Sequence, residues 1–139
     1  MSDKEKNYSV LHTNAFSDLS EKESYGVKGK LFISQELGLT GCEMSVNSLP
    51  AGTSVPFVHV HNMNEELYII VNGKGVFYVD GEEFPVQAGS LIRVAPAGKR
   101  AIKAGDEDLF YLCVQARNNS LEQFAIHDGR AVQAKASWM

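Results

Sequence analysis

Cysteine is scarce in this chain: two among 139 residues. Cys42 and Cys113 lie far apart, each inside an apolar run, and no C-x-x-C pair occurs. A disulfide framework and a cysteine-rich metal knot are thereby excluded, and both thiols are expected to be buried and reduced. There is no basic excess either. Thirteen Lys and Arg stand against 17 Asp and Glu, a formal charge of −4. Nucleic-acid affinity comes mainly from neutralising phosphates, so a nucleic-acid partner is not expected. No apolar run approaches the length of a membrane span, and no membrane partner is expected. Met1 to Lys6 are polar and mixed in charge, without the apolar core of a secretory signal, so the expected location is the cytoplasm. A helical period is missing too: nothing between Gly26 and Gln115 repeats its apolar residues every 3.6 positions.

What the chain has is short runs of Val, Ile, Phe and Tyr, broken by Gly, Pro, Asn and Asp. That pattern predicts an all-β sandwich or barrel. Strands are expected near Leu31–Ser34, Cys42–Leu49, Val55–His61, Glu66–Val71, Gly75–Val79, Glu83–Val86, Ser90–Ala95, Arg100–Lys103 and Leu109–Ala116. Tyr8–His12 and Phe124–His127 are shorter candidates, and Asn14 to Ser24 can hold a turn or a brief helical piece. Asn72-Gly73 and Asp80-Gly81 supply the positive φ of tight hairpins. The expected organisation is an extension over 1–25, a barrel over 26–117, and a segment over 118–139 that packs on the barrel or on a partner. Leu67 to Val71 and Leu109 to Val114 are apolar at nearly every position. A strand with water on one side should alternate. Both faces are therefore expected to be covered, and a homodimer is a natural cover.

The chemistry concentrates at His59-Val60-His61. Residues two apart on a strand share a face, so the imidazoles converge. A turn at Asn62–Asn64 folds the next strand back and brings Glu65 or Glu66 beside them. Two imidazoles and a carboxylate suit Fe(II), Mn(II), Ni(II) or Zn(II). Isolated His-x-His pairs are more often ordinary surface residues, so the wider spacing carries the weight.

That spacing runs Gly52, six residues, His59-x-His61, four residues, Glu66, six residues, Gly73; then Gly89, six residues, Pro96-x-Gly98. It resembles the cupin family, whose motifs are G-x5-H-x-H-x3-4-E-x6-G and G-x5-P-x-G-x2-H-x3-N. The first motif departs by one extra residue before His59, and the distance to Gly73 favours Glu66 over Glu65. In the second, Ala101 falls where the family has its fourth ligand and Gly105 where it has Asn. L-T-G-C-E, F-V-H-x-H and R-V-A-P-A-G runs resemble a group of small bacterial cupins. The resemblance implies a double-stranded β-helix, or jelly roll, with a metal in a pocket at the barrel mouth and frequent dimerisation. It does not imply one reaction.

With Ala101 in place of a ligand, three protein ligands leave open positions for solvent or substrate. Arg93, Lys99, Arg100 and Lys103 cluster around the second motif. Strand parity places Lys103 on the face of Ala101, and Arg93 lies within an apolar strand. Both are candidates for holding an anionic substrate. Tyr68 shares a face with Glu66, and Phe57 is a candidate for the pocket wall. Three functions are compatible with this set. The first is a metal-dependent enzyme, of dioxygenase or isomerase type, acting on a small anion. The second is a non-catalytic module that binds or senses a small ligand. The third is a metal-free carbohydrate isomerase or epimerase using a His base and a Tyr acid.

Overall fold

The structure, a computed structural model, describes residues 6–13 and 15–139. A 3-10 turn over Phe16–Glu21 precedes β1 (Glu23–Ser24), β2 (Val27–Lys28), β3 (Lys30–Phe32), the one-turn helix α1 (Ser34–Leu37) and β4 (Glu43–Leu49). The barrel continues through β5 (Asn64–Asn72), β6 (Lys74–Val79), β7 (Glu82–Gln87), β8 (Leu91–Val94), β9 (Arg100–Ala104) and β10 (Leu109–Arg117), and α2 (Ala125–Asp128) follows. Two sheets carry the fold, of order β3-β4-β10-β5-β8 and β7-β6-β9, and β1 with β2 forms a separate hairpin. The strands pair antiparallel. The architecture is the double-stranded β-helix.

Turn chemistry fixes the register. Asp80 and Gly81 both hold positive φ, 50° and 90°, between β6 and β7, the conformation of a tight hairpin. Gly73, between β5 and β6, has φ 92°, and a Cβ there would collide with the Asp108 carbonyl, so only glycine fits. Between the sheets lie Tyr68, Ile70, Phe77, Val86, Val94, Ile102, Ala104, Leu109, Tyr111 and Cys113. Full burial of side chains such as Phe77, Ile70 and Leu109 stabilises by roughly 1.5–3 kcal/mol each, so the barrel is held by its apolar interior.

The runs that do not alternate in polarity do alternate in burial. Glu66, Tyr68 and Ile70 are buried while Leu67 and Val71 are exposed; Leu109, Tyr111 and Cys113 face inward. The outer side of β4 and β10 is covered by the chain itself. Leu19, Ile33 and Val46 form a second cluster there, with Leu11, Leu31 and Leu112 against it. Cover for this face thus comes from the N-terminal segment. The outer side of β5 and β8 remains open, with Leu67, Val71 and Leu91 exposed.

Three expectations differ from the observed structure. Val55–His61 is an extended segment touching β9 at two isolated bridges, Ser54 to Lys103 and His59 to Arg100; Pro56, lacking an N–H, interrupts the ladder. Phe124–His127 contains the helical turn α2 in place of a strand. Tyr8–His12 forms no strand. In the single chain the segment from Asn119 onward is exposed almost throughout. No helix among the described residues is long and apolar enough to cross a membrane.

Candidate metal centre and its cavity

His59 and His61 reach the barrel interior from the extended segment ahead of β5. His59 exchanges two backbone hydrogen bonds with Arg100 across the bridge, both 3.1 Å, and the His61 N–H donates to the Pro96 carbonyl at 2.9 Å. Directly opposed residues of an antiparallel pair share a face. His59, His61 and Arg100 therefore aim at the same interior, where β5 presents Glu66, 4% exposed.

The three side chains converge. His59 Nε2 lies 3.6 Å from Glu66 Oε1, and His61 Nε2 lies 3.4 Å from Oε2. One ligand atom from each falls within 4.8 Å of the others. Glu66 is held from three further sides. Oε1 accepts from Arg100 Nη1 at 3.0 Å and from the Tyr68 hydroxyl at 2.9 Å; Oε2 accepts from the Cys113 thiol at 3.0 Å. Burial alone would raise this carboxyl. The bonds from His59, Cys113 and Tyr68 and the nearby His61 outweigh it and bring Glu66 down to about 2. Burial lowers the affinity of His61 for a proton, which keeps its lone pair available near neutral pH. Burial pushes Tyr68 and Cys113 upward, so both remain protonated donors.

These donors fit a divalent metal. His61 Nε2, which faces Glu66, is buried without a hydrogen-bond partner. An orphaned buried imidazole nitrogen is costly unless something accepts its lone pair or its proton. Above the donors opens a cavity of about 310 Å³, walled by Val55, Phe57, Ile102 and Tyr111, with Tyr25 and Phe32 on the side of the β1–β2 hairpin.

Residues 45–115 match the family described as the cupin domain. The chain belongs to the cupin family. A cupin protein of Bacteroides fragilis, known as a crystal structure, is 41% identical, covering 91% of this chain and 98% of its own, with a TM-score of 0.75. A predicted oxalate decarboxylase from Thermotoga maritima, also a crystal structure, is 32% identical over 53% of this chain and 64% of its own, TM-score 0.51. An oxalate-binding protein of Thermotoga maritima is 36% identical over 67 residues, 48% of this chain and 54% of that one. The chain spans about half the length of the curated relatives it matches.

Ala101, where counting from Pro96-x-Gly98 puts the family's fourth ligand, is not on the most buried side of β9. Arg100, Ile102 and Ala104 are the buried side of β9, while Ala101 shares the parity of exposed Lys103 and only borders the cavity. Arg100 is fully buried, and its Nη2 also donates to the carbonyls of Ala95 at 2.6 Å and Pro96 at 3.4 Å. The inward position one strand away from His59 thus holds a guanidinium, not the space expected beside Ala101.

The other candidates divide. Tyr68 and Phe57 line the cavity, and the Phe57 ring meets His59 edge-on at 5.9 Å. Arg93 does not: it is exposed on the outer face, bonded to Glu65 at 2.8 Å and Asn118 at 3.2 Å. The same pair turns Glu65 away from the histidines. Lys103 is exposed on the outer side of β9. Sequence reading missed Lys30, Ser45 and the site role of Cys113. The signal for Cys113 was its parity with Leu109 and Tyr111.

Proposed function

We propose that this cupin holds a divalent transition metal on His59, His61 and Glu66 and presents it to a small anionic molecule in the barrel cavity. The observation that carries the reading is the convergence of these three donors in that cavity, with the buried His61 Nε2 among them lacking a hydrogen-bond partner. The metal, drawn from Fe, Mn, Ni or Zn, would supply Lewis acidity toward a bound oxygen atom. Tyr68, Arg100 and Cys113 keep the Glu66 carboxylate ionised and fixed in orientation. Val55, Phe57 and Ile102 exclude water from the ligand. The Thermotoga maritima matches named for oxalate, as an oxalate-binding protein and as a predicted oxalate decarboxylase, support a small carboxylate as the ligand class.

A binding or sensing role without turnover is favoured by one observation. The Tyr68 hydroxyl and the Cys113 thiol, the proton donors nearest the donor set, are both bonded to Glu66. The same bond removes Tyr68 as the free acid that a metal-free isomerase or epimerase would use. Metal-loaded protein incubated with oxalate and followed by carbon NMR separates these readings. Release of formate and carbon dioxide, with uptake of one proton, marks a redox-neutral decarboxylase. Saturable binding without consumption marks a binding module. Neither binding nor consumption of oxalate or other small carboxylates, including in an oxygen electrode, overturns the anionic-ligand reading.

We also propose that the chain works as a homodimer. Leu67, Val71 and Leu91 are exposed on the barrel, and Leu121, Phe124, Ile126, Val132 and Trp138 are exposed beyond it. Surfaces of this kind mark interfaces. Light scattering at micromolar concentration should give twice the chain mass, and deletion of 119–139 should weaken the association. A full-length chain that stays monomeric would contradict the proposal.

A further inference from the structure

Lys30 forms no salt bridge with any described residue. It stands on β3, opposite Asn47 in register, and lines the same cavity as His59, His61 and Glu66. Its Nζ lies 5.2 Å from the Phe32 ring centroid and donates to Ser45 Oγ at 3.5 Å. Arg93 and Arg100, by contrast, pair with Glu65 and Glu66. A half-buried ammonium without a carboxylate in direct contact loses part of its hydration uncompensated.

Ser45 is arranged to act with it. Ser45 is 3% exposed, and its hydroxyl oxygen accepts from Lys30 Nζ and from Asn47 Nδ2 at 2.9 Å. With its oxygen accepting from two donors, the O–H proton is left to point at something else. Lys30 and Ser45 thus offer two donors and a positive charge outside any described salt bridge on a cavity wall that is otherwise mainly apolar.

We infer that Lys30 and Ser45 form a second anion-binding point in the cavity, taking one carboxylate of a small dicarboxylate whose other carboxylate lies at the His59–His61–Glu66 centre. The inference rests on the metal-site reading for the far end of the ligand. A carboxylate suits the near end because one ammonium and one hydroxyl match its two oxygens. A phosphate would call for the arginine fork or cluster of backbone N–H groups that commonly binds it. Burial lowers the proton affinity of Lys30, with only partial offset from Cys113 and Glu66. An entering carboxylate removes that penalty.

The test uses the full metal-loaded chain, titrated calorimetrically with malonate, succinate and glutarate and with the monomethyl ester of each. The half-ester keeps one carboxylate for the metal and removes the one meant for Lys30. In the wild type, the best diacid should bind roughly 10–100-fold tighter than its half-ester, the range expected for a charge-assisted hydrogen bond. Lys30→Met should bring the diacid down to the affinity of the half-ester, and the two should then bind alike. Ser45→Ala should lose a smaller part of the preference. Equal binding of diacid and half-ester by the wild type overturns the inference, as does a preference that survives Lys30→Met or failure of the wild type to bind any diacid. The wild-type comparison decides even if Lys30→Met does not fold. Metal content measured on the same samples reports separately on the donor set: it should be equal in wild type and Lys30→Met, and its absence from the wild type would defeat the metal reading instead.

Discussion

Arg100→Met is expected to destabilise the folded chain by about 3–5 kcal/mol, the range for removing one partner of a buried ion pair. The guanidinium is fully buried, and Glu66, to which it donates at 3.0 Å, is 4% exposed. Methionine fills much of the volume but leaves a buried carboxylate with less compensation and removes the side-chain donor from the Ala95 and Pro96 carbonyls, which keep the Gly98 and His61 N–H groups. Combining Arg100→Met with Glu66→Gln should cost less than the sum of the two, because the second change removes the charge that the first left unpaired. Urea denaturation measures both. A loss below about 1 kcal/mol for Arg100→Met would place the pair in the range of exposed ion pairs and contradict its role in holding Glu66.

The contrast between Glu66→Gln and Glu65→Gln is the second large effect. Glu66 brings the only carboxylate of the three-donor cluster, and an amide supplies neither its charge nor its second anionic oxygen. Metal affinity should fall by more than the roughly 10–100-fold that loss of an outer hydrogen-bond partner produces. Glu65 faces outward onto Arg93, with both side chains partly exposed. Its replacement should leave metal affinity unchanged and alter stability by no more than about 1 kcal/mol. Competition against a chromogenic chelator reads the affinities. Equal losses for the two variants would contradict the assignment of the ligand to Glu66.

The barrel was legible because its signals are local. Glycines at Asn72-Gly73 and Asp80-Gly81 mark hairpins by their need for positive φ, and short β-branched and aromatic runs between them give the strands. His59, His61 and Glu66 were legible for the same reason: two-residue parity and a short turn are local geometry. Arg100 was not. Its inward direction follows from the bridge to His59, a pairing across some forty residues of chain, and counting from Pro96-x-Gly98 put the fourth position on Ala101. Arg93 and Lys103 were drawn toward the site by charge alone, although parity about buried Val94 and Ile102 places both on the outer face. Lys30 carried the opposite difficulty. A lysine between glycine and leucine reads as solvated surface, and only the pairing of β3 with β4 turns it into the cavity. The open face of β5 and β8 and the exposed segment past Asn119 concern a second molecule, about which one chain's pattern gives only the apolar side chains.

Elemental analysis of untagged protein, after reconstitution with Fe(II), Mn(II), Ni(II) or Zn(II) and removal of free ion, tests the central claim most directly. The wild type should retain about one ion per chain with at least one of the four metals. The His59→Ala/His61→Ala variant should retain none while still unfolding cooperatively as a barrel, since its core of Ile70, Phe77, Leu109 and their neighbours is intact. Equal retention by the wild type and the folded double variant would contradict a metal centre at His59, His61 and Glu66.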